Sequence, residues 1–248
     1  MFPIRDHNPS ERMPWVTWGL IAANVAIWVW MEMALRDDAS LGAFYYRFAM
    51  FPAGVVGGEG LHTLVTATFL HAGFLHLAGN MLFLWIFGDN LEDQMGHGPY
   101  LVFYIACGAA ANVAQILPDP MSPIPVVGAS GAIAGVMGGY LLLFPRAKVD
   151  MLLFLLVFVR IFKWPAWVML GIWFAFQVVR GIGDSGAGGG VAYWAHAGGF
   201  VVGLVLTLPL FWRRGGRRFW DRTHGQPPHP EARYRFEDST VPKVTRRR

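Results

Sequence analysis

One serine, three histidines and an asparagine stand out, because each lies in an apolar stretch where polar groups are costly. Ser130 sits in Gly128-Ala129-Ser130-Gly131, His196 in YWAHAGGFVVG, and His71, His76 and Asn80 in FLHAGFLHLAGN. Polar groups inside hydrocarbon-length segments are functional candidates by default. A lone serine beside glycines is usually a packing residue, and a lone helical histidine usually a structural hydrogen-bonder. The combination is harder to set aside. His76 and Asn80 are four residues apart, so on a helix both project from one face. His196, Gly199 and Gly203 form another stripe, and Gly131, Gly135 and Gly139 recur at four-residue steps beside Ser130. Small residues at such spacing let two helix backbones approach closely. Two such helices, one carrying Ser130 and the other His196, could bring a hydroxyl within reach of an imidazole. That is what a general base needs to activate a serine nucleophile. His76 and Asn80 would then supply donors for the negative oxygen of a tetrahedral intermediate. No acidic residue adjoins His196, so the expected unit is a Ser–His dyad.

Metal chemistry fares worse. His71 and His76 are five apart with no Glu between them, unlike the four-residue zinc spacing of H-E-x-x-H. The single cysteine, Cys107, lies in an apolar run and reads as a small buried hydrophobe. No metal and no organic cofactor is expected.

The elements that must position these residues are membrane helices. Hydrophobic residues make up 54% of the 248-residue chain and charged ones 15%, against about 25% charged in a soluble domain. From Trp15 to Trp212 there are 7 Lys/Arg and 10 Asp/Glu, whereas Arg213 to Arg248 holds 11 of the 20 basic residues. A crossing helix needs about 20 mostly apolar residues. Six segments meet or approach this: Trp15–Leu35, Leu61–Phe87, Pro99–Leu117, Gly128–Phe144, Trp164–Gly181 and Val191–Trp212. The first is longer than a signal peptide's apolar region and is expected to be retained. The second has room for an entry turn, and the fourth is small-residue-rich, as a helix buried among others would be. The stretch Met151–Phe162 is too short to cross alone; extension of the fifth span and a re-entrant segment both remain open. The aromatic and basic loop from Arg36 to Gly60 suits the headgroup boundary.

The expected fold is therefore an all-α polytopic membrane protein with six transmembrane helices. Residues 1–14 form a cytoplasmic N-terminal segment, 15–212 the membrane domain, and 213–248 a basic, disordered cytoplasmic tail. Six spans put both termini on one side. That side carries 17 basic residues against 3 on the other, which makes it cytoplasmic by the positive-inside rule. The lipid bilayer is one partner. Nucleic acid is not, because the basic excess sits in the tail, where topology signals belong.

The motifs HAGFLHLAGN, GASG and AHAGGFVVG, in order on the second, fourth and sixth spans, resemble the rhomboid family of intramembrane serine proteases. The likeness covers nearly all of Trp15–Trp212. It implies a six-helix rhomboid fold, Ser130 as nucleophile and His196 as general base. It also implies an oxyanion hole of His76, Asn80 and the Ser130 backbone N–H, and a structural role for His71. The implied activity is serine endopeptidase cleavage in or next to the transmembrane helices of single-pass proteins, in a bacterial inner membrane. By the same likeness Trp173 lies on a span that gates substrate entry, although lipid-facing packing explains it equally. Departures are His62-Thr63 where many members carry Trp-Arg, Glu92-Asp93-Gln94 in place of Glu-x-Arg, and Ala134 where an aromatic often stacks on the histidine. The alternatives are a catalytically silent relative that binds transmembrane helices and, less well supported, a small-solute transporter using the histidines as a proton path.

Overall fold

The computed structural model describes residues 2–155, 158–183 and 190–227. Ten α-helices are described: α1 Trp15–Ala34, α2 Asp38–Phe48, α3 Pro52–Val56, α4 Thr63–Thr66, α5 Phe74–Met95, α6 His97–Ile116, α7 Ser130–Leu143, α8 Ala166–Gly183, α9 Tyr193–Arg213 and α10 Arg217–Thr223. Three strands, β1 Phe2–Asp6, β2 Lys148–Leu155 and β3 Phe158–Pro165, form an antiparallel sheet in that order.

Helices α1, α6, α8 and α9 are long and apolar enough to cross hydrocarbon. The second expected span is bent: α4 and the 3-10 turn Ala67–Phe69 meet α5 at 96°, and together they pass the same test. The break falls at Leu70–Gly73, and α5 then runs on to Met95, beyond the expected end at Phe87. Helix α7 has 14 residues, and all but Ser130 and Leu141 are buried. At 1.5 Å per residue it is about 21 Å long. It can be short because its surroundings are α5, α6 and α9 rather than lipid.

The tightest packing lies between α7 and α9. A Cβ at Gly199 would collide with the Gly131 carbonyl, one at Gly203 with the Gly135 carbonyl, and one at Gly138 with the Phe200 carbonyl. Helix α6 closes the third side through Cys107 against Gly135 and Ala111 against Gly131.

Two expectations are corrected. The stretch Met151–Phe162 is neither a re-entrant segment nor part of the fifth span. It contributes to the β2–β3 hairpin, which β1 extends from the N-terminal segment. Asp150 holds β1 to β2, accepting from Arg5 at 3.0 Å and hydrogen-bonding His7 at 2.7 Å. Burial pushes the Asp150 carboxyl up, but the hydrogen bonds and charges of His7 and Arg5 outweigh it and hold the group below its ordinary range. The tail is not wholly disordered either. Helix α10 buries Phe219, and the Trp220 indole donates to the Leu142 carbonyl at 3.0 Å, fastening the tail to the end of α7. Residues 228–248 of the expected tail, and 184–189 of the loop before the last span, lie outside the described residues.

At the start of α1, Glu92 of α5 accepts from the Val16 and Thr17 N–H groups at 2.8 and 2.7 Å, from the Thr17 hydroxyl at 2.7 Å, and lies 2.6 Å from His97 Nδ1. Where the family's Glu-x-Arg motif is incomplete, its glutamate thus caps a helix. The first loop docks without the Trp-Arg pair: His62 reaches the Arg47 carbonyl at 2.9 Å, and the Thr66 hydroxyl donates to the Phe48 carbonyl at 2.8 Å.

At the same end Asp6 accepts from the Tyr140 hydroxyl at 2.8 Å. Burial raises the Asp6 carboxyl to about 7, with the Tyr140 hydrogen bond opposing and the Asp89 charge adding to the rise. Between 3.8 and about 7 the folded chain therefore binds this proton more tightly than the unfolded chain, and its stability falls as pH rises. Asp6→Asn fixes the neutral form. It is expected to flatten the pH dependence of the thermal unfolding midpoint across that window and to raise the midpoint at about pH 8. Parallel curves for the two proteins would exclude Asp6 as the cause.

Candidate active site

Ser130 is the first residue of α7, and the chain leading to it is pinned. Met50 and Val126 exchange backbone hydrogen bonds at 3.1 and 2.8 Å, and the Gly128 N–H donates to the Ala67 carbonyl at 2.9 Å. Gly128 has φ +130°, and a Cβ there would lie 2.8 Å from His76 Cε1 and Nε2 and 3.6 Å from Ser130 Oγ. Glycine is thus required twice over, by backbone and by space, and the His76 ring edge is next to Ser130. No side chain caps α7, and its ladder begins with the Ile133 N–H on the Ala129 carbonyl. The earlier N–H groups have no helical acceptor and carry the positive end of the helix dipole.

His196 comes from the first turns of α9. The Ala195 N–H donates to Gln115 Oε1 of α6 at 3.0 Å, which anchors that helix end. His196 Nε2 lies 2.7 Å from Ser130 Oγ. Its other nitrogen, Nδ1, lies 2.8 Å from Gln177 Oε1 on α8. With Nδ1 protonated, the amide oxygen accepts from it and Nε2 accepts from the serine hydroxyl. The Trp173 ring, one turn before Gln177, packs against the His196 ring at 5.8 Å between centroids. Ser130 and His196 are both half-buried.

The structure thus brings Ser130, His196 and His76 together. Asn80 is buried one turn beyond His76 on the same face, and its Nδ2 has no hydrogen-bond partner among the described residues. His71 is also buried, neither ring nitrogen meets the geometric criteria of a hydrogen bond among the described residues, and its ring packs edge-on against that of His76 at 5.1 Å. Among the described residues no three His, Cys, Asp or Glu side chains come together to hold a metal ion. Sequence reasoning missed Gln177. Its one signal is an amide in the otherwise apolar GIWFAFQVV. It also left open what holds the histidine in the absence of an aromatic at Ala134; Trp173 packs on the imidazole from a different helix.

Residues 58–213 match the family model for the rhomboid domain. The chain belongs to the rhomboid family. It is 36% identical over 148 residues to "Rhomboid protease GluP" of Bacillus subtilis (strain 168), covering 59% of this chain and 26% of the relative. Against "Putative rhomboid protease YdcA" of the same organism it is 32% identical over 127 residues, 51% and 55% of the two chains. Against "Rhomboid protein 1, mitochondrial" of Saccharomyces cerevisiae (strain ATCC 204508 / S288c) it is 31% identical over 150 residues, 58% and 40%. The matched part of this rhomboid spans about a quarter to just over half of these relatives' length. With its apolar helices the domain is a multi-pass membrane protein of a family that includes proteases.

The glycine seam makes a measurable claim about this rhomboid. Gly199→Ala must push α9 off the Gly131 carbonyl, a cost of roughly 1–3 kcal/mol. It is expected to lower the unfolding midpoint in detergent and to slow labelling of Ser130 by a fluorophosphonate. Gly19→Ala, where a Cβ would meet nothing within 4 Å, is the control: helix propensity should hold or raise its midpoint, and its labelling should be unchanged. Equal behaviour of the two variants would mean that the seam does not set the site.

Proposed function

We propose that this rhomboid is an intramembrane serine endopeptidase that hydrolyses peptide bonds in or next to the transmembrane helices of single-pass membrane proteins. The observation that carries this reading is the 2.7 Å approach of Ser130 Oγ to His196 Nε2. It places hydroxyl and base at the distance general-base activation requires.

A bilayer-buried substrate helix has its backbone groups paired, so it must unwind locally before a carbonyl is open to attack. The Ser130 oxygen adds to that carbonyl while its proton passes to His196 Nε2. The carbonyl oxygen becomes an oxyanion, and the open N–H groups at the start of α7, the Asn80 amide and His76 are the donors within the site. Collapse of the intermediate expels the amine, which takes the proton from His196, and leaves an acyl-enzyme. Water activated by the same imidazole then releases the acyl group and restores Ser130.

The half-buried setting of Ser130 and His196 at helix ends fits a site that water reaches from one membrane face. With the basic side cytoplasmic, the start of α7 points to the opposite face. Relatives come from a bacterium and from an organelle alike.

A single-pass reporter in proteoliposomes tests the reading. The unsubstituted chain is expected to cut it, and Ser130→Ala or His196→Ala at equal expression to abolish cutting. His76→Ala and Asn80→Ala should each lower kcat by about 10²–10³-fold, the usual worth of one oxyanion donor. Undiminished cutting by Ser130→Ala would overturn the mechanism. A chain that binds the reporter helix and never cuts it would be the silent, helix-binding relative.

A further inference from the structure

Gln177 has no part in a two-residue Ser–His scheme, yet its placement is specific. It is buried in the apolar stretch of α8 before Arg180, and it aims its amide oxygen at the histidine of another helix. An amide taken out of water without a purpose costs free energy that an apolar side chain would not. Its orientation is set by its other contact, from Nε2 to the Trp173 carbonyl at 3.4 Å. That carbonyl can only accept, so the NH₂ group faces it and Oε1 faces His196. An amide oxygen likewise only accepts, so the His196 nitrogen it meets, Nδ1, carries a proton. In neutral imidazole the other nitrogen is then the free acceptor, and that nitrogen is 2.7 Å from Ser130 Oγ.

Resting on the protease reading, we infer that Gln177 is a positioning residue: with Trp173 it clamps His196 in the Nδ1–H tautomer and ring orientation that leave Nε2 free to take the Ser130 proton. The two side chains sit at i and i+4 on one face of α8. One meets the edge of the imidazole and the other its face. The proton that Ser130 gives up goes to Nε2, and the Nδ1 proton stays on its nitrogen, hydrogen-bonded to Gln177, throughout acylation and deacylation. The third group is neutral. It fixes the tautomer without placing a carboxylate inside the membrane domain, where an ion is expensive to bury.

Two variants and two readouts test this. Gln177→Leu keeps much of the volume and removes the acceptor. It should lower kcat about tenfold or more with KM for the reporter changed less than about twofold, since a wrong tautomer removes the base and leaves binding alone. Active-site titration with a fluorophosphonate corrects for any misfolded fraction. Gln177→Glu restores an acceptor and adds charge, so it should recover part of kcat. It should also move the acidic limb of the pH–rate profile to higher pH, because a carboxylate favours the imidazolium. Around the ring, α7 brings Ser130 and α8 brings Trp173 and Gln177, while His76 of α5 is the titratable group whose charge reaches His196; it is kept unchanged in both variants. A merely structural role would lower stability in both and leave that limb in place.

The second readout needs no turnover. Nitrogen NMR of labelled His196 should show a protonated Nδ1 and a bare Nε2 in the unsubstituted chain at high pH, and a mixture in Gln177→Leu. Unchanged kcat and tautomer in Gln177→Leu, with an unmoved acidic limb in Gln177→Glu, would overturn the assignment. A chain that cuts no reporter yet shows the tautomer shift would sink the protease reading and leave the role of Gln177 standing.

Discussion

The contact of the α7 and α9 backbones is the constraint on which the site depends. At Gly199 and Gly203 the space of a Cβ is taken by the carbonyls of Gly131 and Gly135. Apolar side chains gain little from leaving lipid for one another, so helices in a bilayer associate through close van der Waals packing, which small residues permit. Here that packing joins main chain to main chain, with few rotamers to relax. Ser130 lies one residue before Gly131, and His196 three before Gly199. The distance between hydroxyl and imidazole is therefore inherited from the seam rather than from two freely rotating side chains.

Helix α7 is held just as firmly at its other end. Tyr140 donates to Asp6 of the sheet, and the Leu142 carbonyl accepts from Trp220 of α10. Nearby, Glu92 takes up the first N–H groups of α1 and bonds His97 at the start of α6, tying three helices through one carboxylate. A buried carboxylate is tolerable when it accepts several hydrogen bonds, and destabilising when its partners go. Polar contacts thus hold α7 at both ends. One end braces the helix through Asp6 and Trp220. The other, around Ser130, keeps donors in reserve.

What the sequence made legible follows from periodicity and from rarity. Glycines at steps of three and four mark the faces of α7 and α9, and polar residues in apolar runs mark Ser130, His196, His76 and Asn80 before any contact is known. The hairpin was hidden because Met151–Phe162 is almost uniformly apolar, and without alternation a buried strand cannot be told from a helix segment. Helix α10 was hidden by its charge: Arg217, Arg218 and Arg222 outweigh the two aromatics that dock it. Gln177 was invisible for another reason. Its meaning lies in what faces it from α9, a contact 19 residues away in sequence that no spacing rule within one helix can deliver.

The unpaired donors give the site its direction. A buried amide left without a partner costs about 1–3 kcal/mol, and Asn80 Nδ2 has none among the described residues. The cost has a physical account if the missing acceptor arrives during reaction. An oxygen that is neutral in the substrate and negative in the intermediate draws far more from a fixed donor in the second state than in the first. On the proposed mechanism the same holds for the uncapped N–H groups of α7. His71 stands one ring removed, packed against His76. The His76 ring in turn lies beside Gly128, where φ and space together admit no side chain, so an imidazole edge and bare backbone border the Ser130 hydroxyl.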